Sequence, residues 1–178
     1  MNREQLAHLL RAASQIAGES DVVVIGSQAI LASYDETELP DEAIGSIELD
    51  VTFFDDPDAA KSDLVDGAIG ELSSFHETNQ YYAQGVSIST ATLPAGWEQR
   101  LVRFENQSSK PGRGLCLEPH DLVVSKLVAH RDKDLAFAAA LLRRRLVDPG
   151  VLVERIRTLP IDPARIEMVV GWLEARRR

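Results

Sequence analysis

The chain has 178 residues, a formal net charge of −9, and 44% hydrophobic and 26% charged residues, which bounds it to one soluble globular domain. No apolar run reaches the roughly 20 residues that a membrane-spanning helix needs. The charged start MNREQLAHLLRAA lacks the apolar core of a signal peptide, and a single cysteine, Cys116, excludes an internal disulfide framework. The expectation is a cytoplasmic protein with no membrane partner, too acidic to be a general nucleic-acid coat.

Leu6, Leu9, Leu10, Ala13 and Ile16 recur at helical spacing, so an amphipathic helix opens the chain and stops at Gly18. Asp21–Ile25 is a short continuous apolar run, the pattern of a buried strand. Gly26-Ser27 breaks it, and 28–33 reads as a helix that Ser27 is placed to cap. Residues 35–46 are acidic and turn-rich and read as a loop. The strongest strand is 46–54, where Ile47, Leu49, Val51 and Phe53 alternate with Glu48, Asp50, Thr52 and Phe54. Asp55-Asp-Pro57 ends it, and Asp58 is a candidate N-cap for a helix running to about Ser74. Two further strands are expected at 85–89 and 100–104, joined by the Leu93–Trp97 turn, and a short one at 114–117. Pro119 can open a helix, and the remainder reads as helices at 121–128, 133–145, 151–158 and 162–176. The expected fold class is α/β (α+β), with a small mixed-sheet core over 1–118 and a helical part over 119–178 packed on it as one compact unit.

Charge is divided along the chain. From Lys126 onward there are 12 basic and 7 acidic residues, and before it 7 basic and 21 acidic. Such a division suits a site that collects divalent cations beside a surface that receives phosphates. Arg143-Arg144-Arg145 and Arg176-Arg177-Arg178 have the simpler reading of solvated helix ends favoured by the helix dipole.

Glycine lets backbone approach a ligand closely, and a following helix supplies unpaired N–H groups suited to phosphate, so Gly26 and Ser27 are candidate nucleotide-binding residues. Glu48 and Asp50 are two apart on a strand and project from one face. As paired hard oxygen donors they suit Mg²⁺, which keeps waters and bridges to substrate phosphates. Taken singly, each motif also fits plain capping and a half-exposed strand. The four histidines and one cysteine show no zinc-like spacing, and His120 belongs to the turn before the helix.

Together, a Gly-Ser turn opening a helix and an acid-x-acid strand resemble the nucleotidyltransferase superfamily. The likeness is to its minimal members related to the AbiE-type abortive-infection toxins and the MenT toxins. Within that group it is to a bacterial family known as a domain of unknown function. Thr90-Ala-Thr-Leu-Pro-Ala-Gly-Trp-Glu-Gln-Arg-Leu-Val102 is similar to a strand-and-turn segment of that family. The segment from Gly114 to Asp134, with Pro119-His120-Asp121-Leu122, Lys126, Arg131 and Lys133-Asp134, is similar to its longer signature. The resemblance spans roughly residues 20–150.

The resemblance implies transfer of a nucleoside monophosphate from an NTP. Gly26-Ser27 would hold the triphosphate, Glu48 and Asp50 would bind Mg²⁺, and Lys126 would contact the phosphates. Asp134 matches a later aspartate of the motif, either as a catalytic group or as a cap or salt-bridge partner. Arg131 and Lys133 beside it are candidates to meet phosphate or the acceptor. Lys126, His130 and Lys133 share one face if the helix is continuous there. The implied partners are the NTP, a tRNA 3′ end or a protein hydroxyl as acceptor, and a cognate antitoxin.

The chain also departs from that pattern. Glu48 stands where relatives carry aspartate, about twenty positions separate it from Ser27, and no third carboxylate is evident. Val86-Ser-Ile-Ser89 offers serines where many relatives place an acid, a group that commonly serves as general base. The alternative reading is therefore a nucleotidyltransferase-type fold that binds nucleotide or a partner without turnover. A third is an antitoxin or scaffold that uses its C-terminal helices as an interface.

Overall fold

In the computed structural model, which describes residues 1–176, the opening amphipathic segment is α1 (Arg3–Ala17), ended by Gly18. The Asn2 side chain accepts from the Gln5 N–H and the Gln5 side chain accepts from the Asn2 N–H, a reciprocal cap. Leu6, Leu9, Leu10 and Ala13 are fully buried.

Five strands, β1 (Asp21–Val24), β2 (Glu48–Thr52), β3 (Tyr82–Gly85), β4 (Val102–Phe104) and β5 (Arg113–Cys116), form one sheet in the order β3-β2-β1-β5-β4. β1 is antiparallel to β2 and parallel to β5, β2 is parallel to β3, and β4 is antiparallel to β5. This is the small mixed sheet expected of a nucleotidyltransferase-type α+β core.

Register decides which residues meet solvent. Gly114, paired with Val22, lies under Leu10 of α1, and Gly85, paired with Val51, lies under Ser62 of α3 (Ala60–Ile69). A Cβ on Gly85 would stand 1.8 Å from the Ser62 carbonyl oxygen, so α3 crosses β3 only because that position is bare. Alternation then puts Val22, Val24, Leu49, Val51 and Ala83 on the face covered by α1 and α3, all of them fully buried. The same alternation turns Glu48, Asp50, Tyr82 and Gln84 to the opposite face.

The local structure differs from the sequence expectations in five places. Residues 27–32 form a 3-10 helix capped by the Gly26 backbone, so Ser27 is its first residue rather than its N-cap. The expected loop over 35–46 contains a single-turn helix, α2 (Asp41–Ile44), with Asp41 and Glu42 in its first turn. The carboxylate that caps α3 is Asp56, not Asp58. Asp56 accepts the N–H groups of Lys61 at 2.8 Å and Ser62 at 2.9 Å.

The helix expected to run to Ser74 ends at Gly70. Ser73 caps a separate α4 (Ser74–Asn79) by accepting from the His76 N–H. The strand expected at 85–89 lies earlier, at Tyr82–Gly85. The Ser87 side chain accepts from the Ser89 N–H and draws Ile88–Thr90 into a 3-10 turn, a local bond that competes with sheet pairing.

After β5 come α5 (Pro119–Ala129), α6 (Asp132–Arg143), α7 (Pro149–Ile156) and α8 (Pro163–Glu174). α5 packs against the 3-10 helix, α6 and α7, α6 also meets α2, and α7 meets α8. Arg143, in the last turn of α6, reaches Glu42 of α2 at 2.9 Å, so one member of the first arginine triplet tethers the acidic segment. Arg176 lies 3.8 Å over the Trp172 ring, whereas Arg177 and Arg178 lie outside the described residues. Among the described residues no helix is long and apolar enough to cross a membrane.

Cys116 sits on β5 with no exposed surface, and burial pushes its thiol up to about 12. Thiolate is the reactive form. Ellman's reagent is therefore expected to label the native protein no faster than it unfolds, and at once in guanidinium. Rapid labelling of the native protein would contradict the packing described.

Candidate active site

The carboxylate pair is built by β2. Glu48 and Asp50 project side by side from the face that α1 and α3 leave uncovered, close enough for the Asp50 charge to act on Glu48. Burial, and for Glu48 also the charge of Asp50, raises both above the ordinary carboxylate range, although Lys126 and Lys133 pull the other way. Two acids this close and partly dry hold one proton between them more easily than two negative charges.

Gly26 fixes where the pair sits. The Ile25 N–H donates to the Asp50 carbonyl at 3.2 Å, which carries β1 one residue past its last paired position. The next residue then lies flat against the Asp50 side chain. A Cβ at position 26 would stand 1.7 Å from Oδ2 and 2.6 Å from the carboxyl carbon. Ser27 follows, half-buried, at the start of the 3-10 helix. Gly26→Ala is expected to cost about 1–3 kcal/mol by overpacking and to return the Asp50 titration toward ordinary aspartate values in carbon NMR. An unchanged Asp50 titration would show that the contact does not hold the carboxylate in place.

The cations come from α5 and α6. Helix continuity fails between them, because His130 takes the left-handed conformation at φ 57° and ends α5. Arg131 follows in extended conformation and α6 starts at Asp132. That corner, rather than a shared helix face, brings the set together. Asp134, 1% exposed, lies 3.1 Å from the Lys126 ammonium and accepts from Arg131 Nε at 2.5 Å and Nη2 at 3.3 Å.

Burial alone would raise Asp134, but the Arg131 hydrogen bond and the Lys126 charge overcome it and hold the carboxyl below its usual range. Asp134 is thus an ionised, doubly paired anion that holds two cations in place, and depressed basicity makes it a poor proton acceptor. Lys126 also lies 5.8 Å from the centroid of the Phe137 ring. The charges of Lys126, Lys133 and Arg131 all act on Asp50, and those of Lys133 and Lys126 act on Glu48. Of the eight residues singled out from the sequence, Glu48, Asp50, Gly26, Lys126, Arg131, Lys133 and Asp134 are drawn into one contiguous region, and Ser27 adjoins it.

Other residues here carried no signal of their own in the sequence. In the β3 register Tyr82 pairs with Glu48 and Gln84 with Asp50, so these two, and not Ser87 and Ser89, occupy the neighbouring strand. Burial and the carboxylates Glu48, Glu71, Asp50 and Asp66 push the Tyr82 hydroxyl up to about 12, which keeps it a proton donor. Gln84 donates to Asp66 at 2.9 Å. An alternating reading of Tyr81–Gly85 was available in the sequence, but Val86 and Ile88 offered a stronger one.

The Pro119–Asp121 part of the long signature forms the first turn of α5 and has a scaffold role. Glu118 caps α5 and bonds His120 Nδ1 at 2.6 Å, while His120 Nε2 accepts from the Asp148 N–H at 2.9 Å. The second bond leaves the ring proton on Nδ1. Asp121, fully buried, is held by Arg100 at 2.8 and 3.1 Å and by Arg155 at 2.5 Å.

No curated protein and no solved structure matches the chain. A family model does, over residues 4–164, and its description reads "Nucleotidyltransferase of unknown function (DUF6036)". With the Gly26 turn, the β2 carboxylates and the α5–α6 cations all inside the matched span, the chain belongs to this family of nucleotidyltransferases of unknown function.

Proposed function

We propose that the chain transfers a nucleoside monophosphate from an NTP to a hydroxyl, with Mg²⁺ held by Glu48 and Asp50. The supporting observation is the Glu48–Asp50 pair, seated on the Gly26 backbone and faced by Lys126, Arg131 and Lys133. The donor set fits the ion. Two hard carboxylates, both raised by burial and Glu48 also by the Asp50 charge, gain from a divalent cation beside them. Among the described residues no group of three His, Cys, Asp or Glu is arranged to hold a metal. Such a pair suits a cation that completes its shell with water and substrate oxygens. When bound, Mg²⁺ would neutralise triphosphate charge and stabilise the departing pyrophosphate.

The chain's own groups then have distinct tasks. Gly26 and Ser27 present backbone to the triphosphate. Lys126 and Lys133 meet its oxygens, and Arg131 faces phosphate or acceptor from the α6 corner. Asp134 orients Lys126 and Arg131. The acceptor in this reading is the 3′ end of a tRNA, or a protein hydroxyl, with the basic C-terminal part favouring RNA. The likeness to AbiE-type and MenT toxins supports a toxin role, silenced by a cognate antitoxin. Incubation with labelled NTPs, Mg²⁺ and total tRNA or cell protein tests this, with Asp50→Ala as control. Label should reach one acceptor class from wild type alone, and no transfer from any nucleotide would sink the enzyme reading.

One observation favours a second reading. β3 offers Tyr82 and Gln84 beside the pair, Asp134 is already doubly paired, and Glu71, whose charge also reaches Glu48, is exposed on the turn after α3, so among the described residues the strand beside the pair carries no acid to take the acceptor's proton. In that reading the fold binds Mg²⁺–NTP without turnover. A rise in melting temperature with nucleotide, unaccompanied by pyrophosphate release, would select it.

A further inference from the structure

Phe54 lies two residues beyond β2 and is 51% exposed, a large apolar surface to leave in water. Its ring stacks on Trp97, with centroids 6.0 Å apart and planes at 26°. Three hollows border this pair. One, of about 480 Å³, is lined by Phe54, Asp55, Asp56, Ile88 and Glu98 among others. A second, of about 440 Å³, includes Ile88, Leu93, Trp97, Glu98, Pro160 and Ile161. A third, of about 350 Å³, shares Leu93, Trp97, Glu98 and Pro160 with it. All three contain Glu98, and no lysine or arginine lines any of them.

The charged side chains that line the rings are therefore acidic, and Arg100, which donates to the Ala95 carbonyl of the third hollow, is paired with Asp121. Glu98 is exposed, and Asp55 is 93% exposed even though Lys61 comes within 3.8 Å of it. Phosphodiester backbone would be repelled here, which excludes a nucleic-acid strand in spite of the stacked rings. A cation is attracted twice, by the ring faces and by the carboxylates beside them. A planar guanidinium suits two stacked rings better than an ammonium does. The chain uses this contact elsewhere, with Arg176 3.8 Å over Trp172 and Arg3 5.4 Å over the Phe104 centroid.

We infer that the Phe54–Trp97 surface docks a basic segment of a protein partner. One of its arginines lies over the ring pair between Asp55 and Glu98, and a neighbouring aliphatic side chain fills the hollow of Ile88, Leu93 and Pro160. The surface shares no residue with the Glu48–Asp50 region, so this docking stands whether or not the chain transfers nucleotides.

The test is anisotropy of fluorescein-labelled acetyl-Arg-Leu-Arg-Leu-Arg amide against the full chain, with the glutamate analogue and oligouridine as comparisons. The basic peptide should bind saturably and be released by salt. Affinity should fall at least about tenfold in Trp97→Ala, the loss expected of a desolvated cation–aromatic contact, and in Glu98→Lys, with no loss in Asp50→Asn. Glu98 is a surface residue, so its variant carries the test if Trp97→Ala lowers the melting temperature. The inference is overturned by absence of saturable binding, by binding that both variants leave intact, or by oligouridine competing at the same surface. Concentration-dependent self-association lost in Trp97→Ala would also overturn it, by making a second copy the occupant.

Discussion

Asp50→Asn is expected to abolish nucleotide transfer, lowering the rate by about 10²–10³-fold or more, while raising the melting temperature of the metal-free protein. The two effects share one cause. Burial raises the Asp50 carboxyl above its ordinary value of 3.8, against the pull of Lys126, Lys133 and Arg131. The ionised form is thus less favourable in the folded chain than in the unfolded one. The sign follows by linkage. Above the raised folded value the charge costs stability, and below the unfolded value, where both states are protonated, it costs nothing. The gain in Asp50→Asn should be full at neutral pH and vanish as pH falls below 3.8. In a chain of this size each kcal/mol moves the melting temperature by roughly 2–4 °C, so a rise of a few degrees is within reach of calorimetry. Mg²⁺ should narrow the gap by stabilising wild type alone. A variant that melts below wild type at neutral pH would contradict the electrostatic account, and retained transfer would remove Asp50 from the chemistry.

Asp121→Ala is expected to be the most destabilising single change described here. The carboxylate is fully buried and held by two guanidiniums whose side chains are 27% and 20% exposed. Without it, Arg100 keeps only the Ala95 carbonyl and Arg155 only Glu118 at 3.4 Å. Removing one member of a buried ion network typically costs about 3–5 kcal/mol. Partial exposure of the arginines places this case at the lower end, near 3 kcal/mol, or roughly 6–12 °C in melting temperature. Urea denaturation of Asp121→Ala and Asp121→Asn would measure it, and a loss under about 1 kcal/mol in both would mean that water replaces the network. Arg100 precedes β4, Asp121 lies in α5 and Arg155 in α7. Their failure should therefore loosen the seating of Lys126 and lower activity together with stability.

Legibility in the sequence followed how local the determinants were. α1, β1, β2 and the helices after Pro119 are set by period, proline and capping residues within a few positions, and all were readable. The errors lie where a side chain outbids periodicity. Ser87 turns an alternating stretch into a 3-10 turn, Ser73 restarts a helix, and Asp56 reaches forward to cap α3 in place of Asp58. At the site, the E-x-D spacing on a strand placed Glu48 and Asp50 on one face without any tertiary information. The neighbours on β3 were not legible, because pairing Tyr82 with Glu48 depends on a crossover through α3 and α4. The long signature was legible as a pattern but mixed in function. Its first part, through Asp121, braces the scaffold, and its later part, from Lys126, supplies charge to the carboxylates.

The contact between Gly26 and Asp50 has an evolutionary corollary. A side chain at position 26 and a carboxylate at position 50 compete for the same volume, so the two positions should be inherited as a unit. Lineages that have abandoned catalysis should lose the acid first, since a side chain at position 26 collides with Asp50 for as long as the acid remains. Relatives that carry a side chain at position 26 and keep the acid at position 50 should be rare. In any collection of this family, the identity of the residue after the first strand would then sort working copies from retired ones before an assay is run.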